Sequence, residues 1–265
     1  MENKGSQDPG ISIITINLNN REGLEKTIKS VVDQTSRDFE WIIIDGGSKD
    51  ESDLLIQQYS EYVDAWISES DSGIYNAMNK GIKLAHGDYL LFLNSGDVLY
   101  SPDVIEKVKC RLKGADIYIG SQMTKGGIDN PSIDSIDLIR TLIIRTIPHQ
   151  ASFIKKDLFN RLGLYSEEYK IISDWEFFIK AIILNNCSVE KLPYIISEKQ
   201  PNGISVTDNE TNLSERQEVL EKISRIIILS KYHTENNDIL KAVKNNKFVF
   251  FIFRCYFFFY RKFHR

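Results

Sequence analysis

The run YLLFLN stops on Asn94, Ser95, Gly96 and Asp97. A carboxylate at the end of a buried strand can hold a divalent cation through one or two oxygens while substrate phosphates complete its shell, as at Mg²⁺ and Mn²⁺ sites. Gly96 would let a phosphate come close to the backbone. The same residue types also suit a plain turn ahead of a helix signalled by Ser101, Pro102 and Asp103. IDGGSKD at 44–50 has a similar form. Asp45 there could accept hydrogen bonds from a base or ribose, or Ser48 or Asp50 could simply cap the next helix. In SDWEF at 173–177, Asp174 stands at a helix start, where an aspartate also serves as an N-cap or dipole partner. His149 and Gln150 follow Pro148, and a single histidine is as readily a hydrogen-bonded structural group. His86, His233 and His264 show no ligand spacing.

These residues need a frame that brings them together. ISIITINLN at 11–19 and FEWIIID at 39–45 are continuous apolar, β-branched runs, the pattern of strands buried on both faces of a parallel sheet. DAWIS at 64–68 and YLLFLN at 89–94 supply a third and a fourth strand. Leu24, Ile28, Val31 and Val32 follow the first strand at helical spacing, residues 52–59 form a short helix, and Ile74, Ala77, Met78, Ile82 and Ala85 define another helical face. Alternation of this kind gives an α/β fold with right-handed crossovers. Ligands then bind at the carboxyl ends of the strands. That rule selects 17–20, 45–50, 69–73 and 94–97, all polar or acidic segments. Beyond about residue 105 the rhythm changes, with a strand expected at 116–121, a mixed segment at 132–147, and helices at 153–163 and 173–185.

A chain of 265 residues can bury a core without disulfides or structural metals. Its net charge of −4 argues against a nucleic-acid partner. Cys110, Cys187 and Cys255 are odd in number and far apart, which disfavours a disulfide framework or zinc site and fits a reducing compartment. The first strand is not followed by GxGxxG, so a dinucleotide-binding domain is disfavoured. The first ten residues are polar, lack the apolar core of an export signal, and are expected to be disordered.

Taken in order, ITINLNNREGLEKTIKSVVDQT (14–35), WIIIDGGSKDES (41–52), SDSGIYNAMNKGIKLAHGDYLLFLNSGD (70–97) and PHQASFIKKDLFNRLGLYSEEYKIISDWEF (148–177) resemble the family 2 glycosyltransferases of GT-A fold that build bacterial surface polysaccharides. The resemblance spans about 12–205. It implies a mostly parallel nucleotide-binding sheet flanked by helices, and an inverting, metal-dependent transfer of sugar from a nucleotide-sugar, a UDP-sugar, to a hydroxyl of a glycan or polyprenyl-linked acceptor. On that resemblance Asp45 is the uracil-binding aspartate, Thr15 and Asn17 wall the base pocket, and Asp71 lies beside base and ribose. Asn94, Gly96 and His149 would meet donor sugar or phosphate. Asp97 would hold Mn²⁺ or Mg²⁺, although Asn94 and Gly96 stand where the family often has carboxylates. Asp174 matches the base that takes the acceptor proton, with Glu176 as second choice. A scaffold or sensor that binds nucleotide-sugar without turnover is the alternative.

The domain expected is 11–210, with a nucleotide-binding half at 11–105 and an acceptor half at 106–210, followed by a helical, amphipathic extension at 211–265. Between Lys244 and Arg265 there are six Lys or Arg and no acid. Phe248 to Tyr260 would span about 20 Å as a helix, short of the roughly 30 Å hydrocarbon core, and Arg254 interrupts the run. Segment 247–265 is therefore expected to lie in a membrane interface, with packing as a terminal helix or oligomer contact as the other reading. Together these features place the enzyme in the cytoplasm, peripheral on the inner face of the cell membrane.

Overall fold

The structure, a computed structural model, describes residues 10–200 and 208–232. The expectations for the first nine residues and for the tail at 247–265 fall outside these.

Strands β1 (Ile11–Asn17) and β2 (Glu40–Asp45) are buried at every residue. Together with β3 (Ala65–Ser68) and β4 (Tyr89–Phe92) they form a parallel block, linked through helices α1 (Arg21–Val32), α2 (Ser52–Gln58) and α3 (Ile74–Leu84). Each pleat face has its own core. Ile14, Ile16, Ile42, Ile44 and Phe92 pack on the α3 side, and Ile11, Ile13, Trp41 and Ile43 pack against Leu24, Ile28 and Val31 of α1. This alternation decides which side chains of β1 can reach a ligand.

The second half extends the same sheet. It comprises β5 (Val98–Leu99), α4 (Val104–Lys109), β6 (Ile117–Thr124), β7 (Gly127–Asp129), α5 (Ser135–Ile144), β8 (Ser152–Lys155), α6 (Lys156–Leu162), α7 (Ser173–Phe178) and β9 (Val189–Glu198). The strand order is β3-β2-β1-β4-β8-β6-β9-β5, with β7 paired to β6. β8 lies antiparallel between β4 and β6, so the two halves share one continuous sheet.

One expectation for this half is corrected, one is refined, and one strand was missed. Residues 153–163 are not all helix: Phe153 and Ile154 are buried in β8, and the helix begins at Lys156 and ends at Gly163, whose φ of +91° suits glycine. A four-residue strand is too short to show a period of two. The helix at 173–185 is α-helical only to Phe178 and continues as a π-helical turn over Ile179–Leu184. β9 was not anticipated, because Pro193 within VEKLPYIISE demotes a strand reading and its exposed residues break up the apolar run.

Helix α8 (Asn209–Tyr232) packs on the second half of the sheet. Glu215 accepts hydrogen bonds from the backbone N–H groups of Lys170 (2.7 Å) and Ile171 (3.1 Å), and Val219 and Ile223 are buried. No helix among the described residues is long and apolar enough to cross a membrane.

Gly81 sets the distance between α3 and β1. A Cβ there would lie 2.4 Å from Ile14 Cγ2, so the helix can rest on the strand only because that position is bare. Gly81→Val is expected to cost about 1–3 kcal/mol by overpacking. Urea unfolding would show this as a lower midpoint; an unchanged midpoint would contradict the packing described.

Candidate active site

The turn after β4 is held from below by α1. Asn20 caps α1 by accepting from Gly23 N–H (3.2 Å), and its Nδ2 donates to the Ser95 carbonyl (3.1 Å). The buried Thr27 hydroxyl donates to the Asp97 carbonyl (2.7 Å) and accepts from Gly96 N–H (2.9 Å). The backbone of 94–97 is thereby fixed to a helix, and the Asp97 carboxylate faces away from α1. Its Oδ2 accepts from Gln150 Nε2 (3.0 Å) and its Oδ1 from Gln200 N–H (2.9 Å). Burial pushes the Asp97 carboxyl above its ordinary value, with the Gln200 N–H and the nearby His149 acting against it.

Gly96 has backbone that suits glycine. Its φ is +101°, and a Cβ would lie 1.5 Å from Gln200 Oε1. The space left by the missing side chain holds the end of the Gln200 side chain.

The cleft that Asp97 lines carries a second acid. Asp174 lies in the first turn of α7, but the N-cap position belongs to Ile172, so its side chain is free for other work. Oδ2 is 2.8 Å from His149 Nδ1, and Oδ1 accepts from the Tyr75 hydroxyl at 2.8 Å. Asn94 Nδ2 is 3.3 Å from His149 Nε2. An ionised Asp174 only accepts, which assigns the imidazole proton to Nδ1 and leaves Nε2 to accept from Asn94. Burial alone would raise the Asp174 carboxyl; hydrogen bonds from His149 and Tyr75 overcome it and hold the group below the usual carboxylate range. Glu176, the second choice, does not line the cleft, and burial pushes its carboxyl up.

Asp97 and Asp174, with Asn94 and His149, line one cleft of about 780 Å³. Ile16, Asn17, Leu18 and Asp71 line another part of the same cleft, the Ile16 carbonyl accepting from Ser95 N–H at 3.0 Å. Asp71 is paired with Lys80, which also bonds Glu69. Asp45 is fully buried. It accepts from Asn17 Nδ2 (2.8 Å), Ser68 Oγ (2.7 Å), and the N–H (2.9 Å) and hydroxyl (2.5 Å) of Ser48. Four donors outweigh its burial and hold the carboxyl below the ordinary value. Asp45 thus organises the strand ends, and Asn17, fixed by it, reaches the cleft with an unpartnered Oδ1. Thr15 does not reach the cleft: it lies on the α1 face of β1, where its hydroxyl accepts from Trp41 Nε1 (3.1 Å).

Some lining residues were not identified from the sequence. Tyr75 holds Asp174 from a helix far away in the chain, and Lys199, Gln200 and Arg216 come from segments beyond the first half. The one available signal was IYNAM at 74–78, where a tyrosine interrupts an otherwise apolar helical face.

Residues 12–161 match the family described as Glycosyl transferase family 2. A PGL/p-HBAD biosynthesis glycosyltransferase of Mycobacterium bovis is 33% identical over 184 residues, covering 65% of this chain and 69% of that protein. S. aureus TarS in complex with UDP-GlcNAc superposes with a TM-score of 0.67 at 17% identity, over 87% of this chain and 70% of that one. A mannosyltransferase of Pyrobaculum calidifontis in complex with GDP-Man and Mn²⁺ gives a TM-score of 0.63 at 15% identity, over 89% of this chain and 69% of that one. A sheet that ends in a polar cleft with two acids, and a family match over more than half of the sequence, lead to one assignment: the chain belongs to glycosyl transferase family 2.

Proposed function

We propose that the protein transfers a sugar from a nucleotide-sugar, a UDP-sugar, to an acceptor hydroxyl with inversion at the anomeric carbon, in the building of a bacterial surface glycan on a polyprenyl-linked or glycan acceptor. The observation that carries this reading is the presence of Asp97 and Asp174 in one cleft, oppositely tuned and large enough together for a nucleotide-sugar.

Single displacement needs a base on the face of the sugar opposite the leaving diphosphate. Asp174 is built for that. It stays ionised at neutral pH, and each of its oxygens spends one lone pair on a fixed donor and keeps another for the acceptor hydroxyl. His149 and Tyr75 orient it. Asn17 and Asp71 would meet the nucleoside end, with Asp45 acting through Asn17.

The departing diphosphate needs compensation for its charge. Among the described residues no three of His, Cys, Asp or Glu converge as a metal cage. A cation bound with a diphosphate asks less of the protein, only one or two carboxylates. The residues at the turn meet that requirement: Asp97 supplies a carboxylate, and Asn94 Oδ1 is buried without a hydrogen-bond partner. These two would hold Mn²⁺ or Mg²⁺, which would stabilise charge on the leaving group. The basic, aromatic segment 247–265 would bring the enzyme to the anionic inner surface of the membrane.

Three outcomes are expected. Asp174→Asn should lower turnover of a UDP-sugar by about 10²–10⁴-fold, the usual contribution of a general base, while UDP still binds; wild-type turnover would remove Asp174 from the role. Tyr75→Phe deletes a donor that lowers the Asp174 carboxyl, so the acid limb of the kcat/KM–pH profile should move to higher pH. A profile that stays put would show that the hydroxyl does not tune the base. Asp97→Asn should abolish the gain in UDP affinity on adding Mn²⁺, measured by calorimetry; an undiminished gain would place the cation elsewhere.

A further inference from the structure

Arg216 is a cation that the fold holds in place and that has no counter-ion among the described residues. Its Nε donates to Asn212 Oδ1 one turn earlier on α8 (2.8 Å), and Nη1 donates to the Arg145 carbonyl (2.9 Å). The guanidinium lies 4.5 Å from the centre of the Trp175 ring, a cation–π stack beside Asp174 in sequence. The helix itself is anchored next door, where Glu215 spends both carboxylate oxygens on the backbone N–H groups of Lys170 and Ile171.

The acids around Arg216 are engaged elsewhere. Asp174 takes His149 and Tyr75, and Asp129 faces Arg145 at 3.6 Å. The field of Asp174 reaches Arg216, but no carboxylate among the described residues forms an ion pair with it or with Lys170, and Nη2 of Arg216 has no described partner. Both cations line the cleft at the end that holds Asp174. A half-buried guanidinium fixed by stacking and two hydrogen bonds has its ordering cost already met, and its remaining fork suits an oxyanion.

We infer that Arg216 and Lys170 form an oxyanion-binding subsite on the acceptor side of the cleft, which takes a phosphoryl or carboxylate group carried by the acceptor near the hydroxyl that Asp174 deprotonates. The inference rests on the proposed donor and base assignments. An acceptor of this kind is a sugar that bears an anion, either a glycosyl phosphate or a uronate. A neutral sugar would leave the cation unmatched.

The test is calorimetric titration of the full chain, saturated with UDP to fill the donor end, with glucose 1-phosphate, glucuronate and methyl glucoside. At least one anionic probe should bind, and which one binds distinguishes phosphate from carboxylate. Arg216→Gln should weaken that probe by about tenfold or more, the value of a charge-assisted contact, and Arg216→Lys should restore part of the loss. Methyl glucoside should not discriminate between the proteins. Lys170→Gln, at an exposed position that does not threaten folding, should weaken the anion as well. Failure of both anions to bind the UDP-loaded wild type, or equal binding by wild type, Arg216→Gln and Lys170→Gln, would overturn the subsite. If UDP itself does not bind the wild type, the donor reading fails instead, and the same anion titrations without UDP still decide the subsite.

Discussion

His149 and Gln150 are consecutive residues, and each grips one acid of the cleft: His149 Nδ1 holds Asp174, and Gln150 Nε2 holds Asp97. They form a 3₁₀ turn that leads directly into β8, the antiparallel strand joining the two halves of the sheet. Two carboxylates facing one solvent-poor space repel each other and lose hydration, so a cleft of this kind is unstable unless donors meet each acid separately. The turn does this, and it also sets the spacing of the acids, because neighbouring residues cannot drift apart. The result is asymmetric. Asp174 receives a ring N–H and a phenol and stays ionised, whereas Asp97 is buried more heavily than its donors can offset. One acid is therefore ready to accept a proton, and the other gains most from a cation.

The parallel half was legible because its strands are buried on both faces. Ile11, Ile13, Ile14, Ile42, Ile43 and Ile44 must be apolar whichever side they point to, and such runs stand out in a sequence. The later half lacks this redundancy. β9 has exposed residues and an internal proline, and β8 is four residues long and passes straight into a helix, so neither gives a clean period. Their place comes from pairing with β6, a long-range constraint that local pattern does not contain.

The same division runs through the site. Asp97, Asp174, Asn94 and His149 could be found because each lies in a motif at a predictable strand or helix end, and the fold brings all four to one cleft. Thr15 was misjudged by one level of structure. It is on the wrong pleat face of the right strand. Asp45 was identified for its chemistry; its four hydrogen bonds, one of them from Asn17, were not foreseen. Tyr75 and Arg216 were missed because an isolated polar residue on a helix carries no signal until its partner is known.

α8 also contributes to the cleft. Its Glu215 staples the segment before α7, and its Arg216 stacks on Trp175, so a helix that composition assigns mainly to an extension forms part of the cleft wall. The central claim is that a nucleotide-sugar lies across the cleft with its diphosphate at Asp97 and its anomeric carbon open to Asp174. A crystal structure of the protein with an unhydrolysed UDP-sugar tests this most directly. The account predicts the diphosphate against the 94–97 turn and the Asp174 carboxylate on the opposite face of the sugar. A diphosphate bound beside Asp174, or a sugar whose anomeric carbon is screened from that carboxylate, would contradict it.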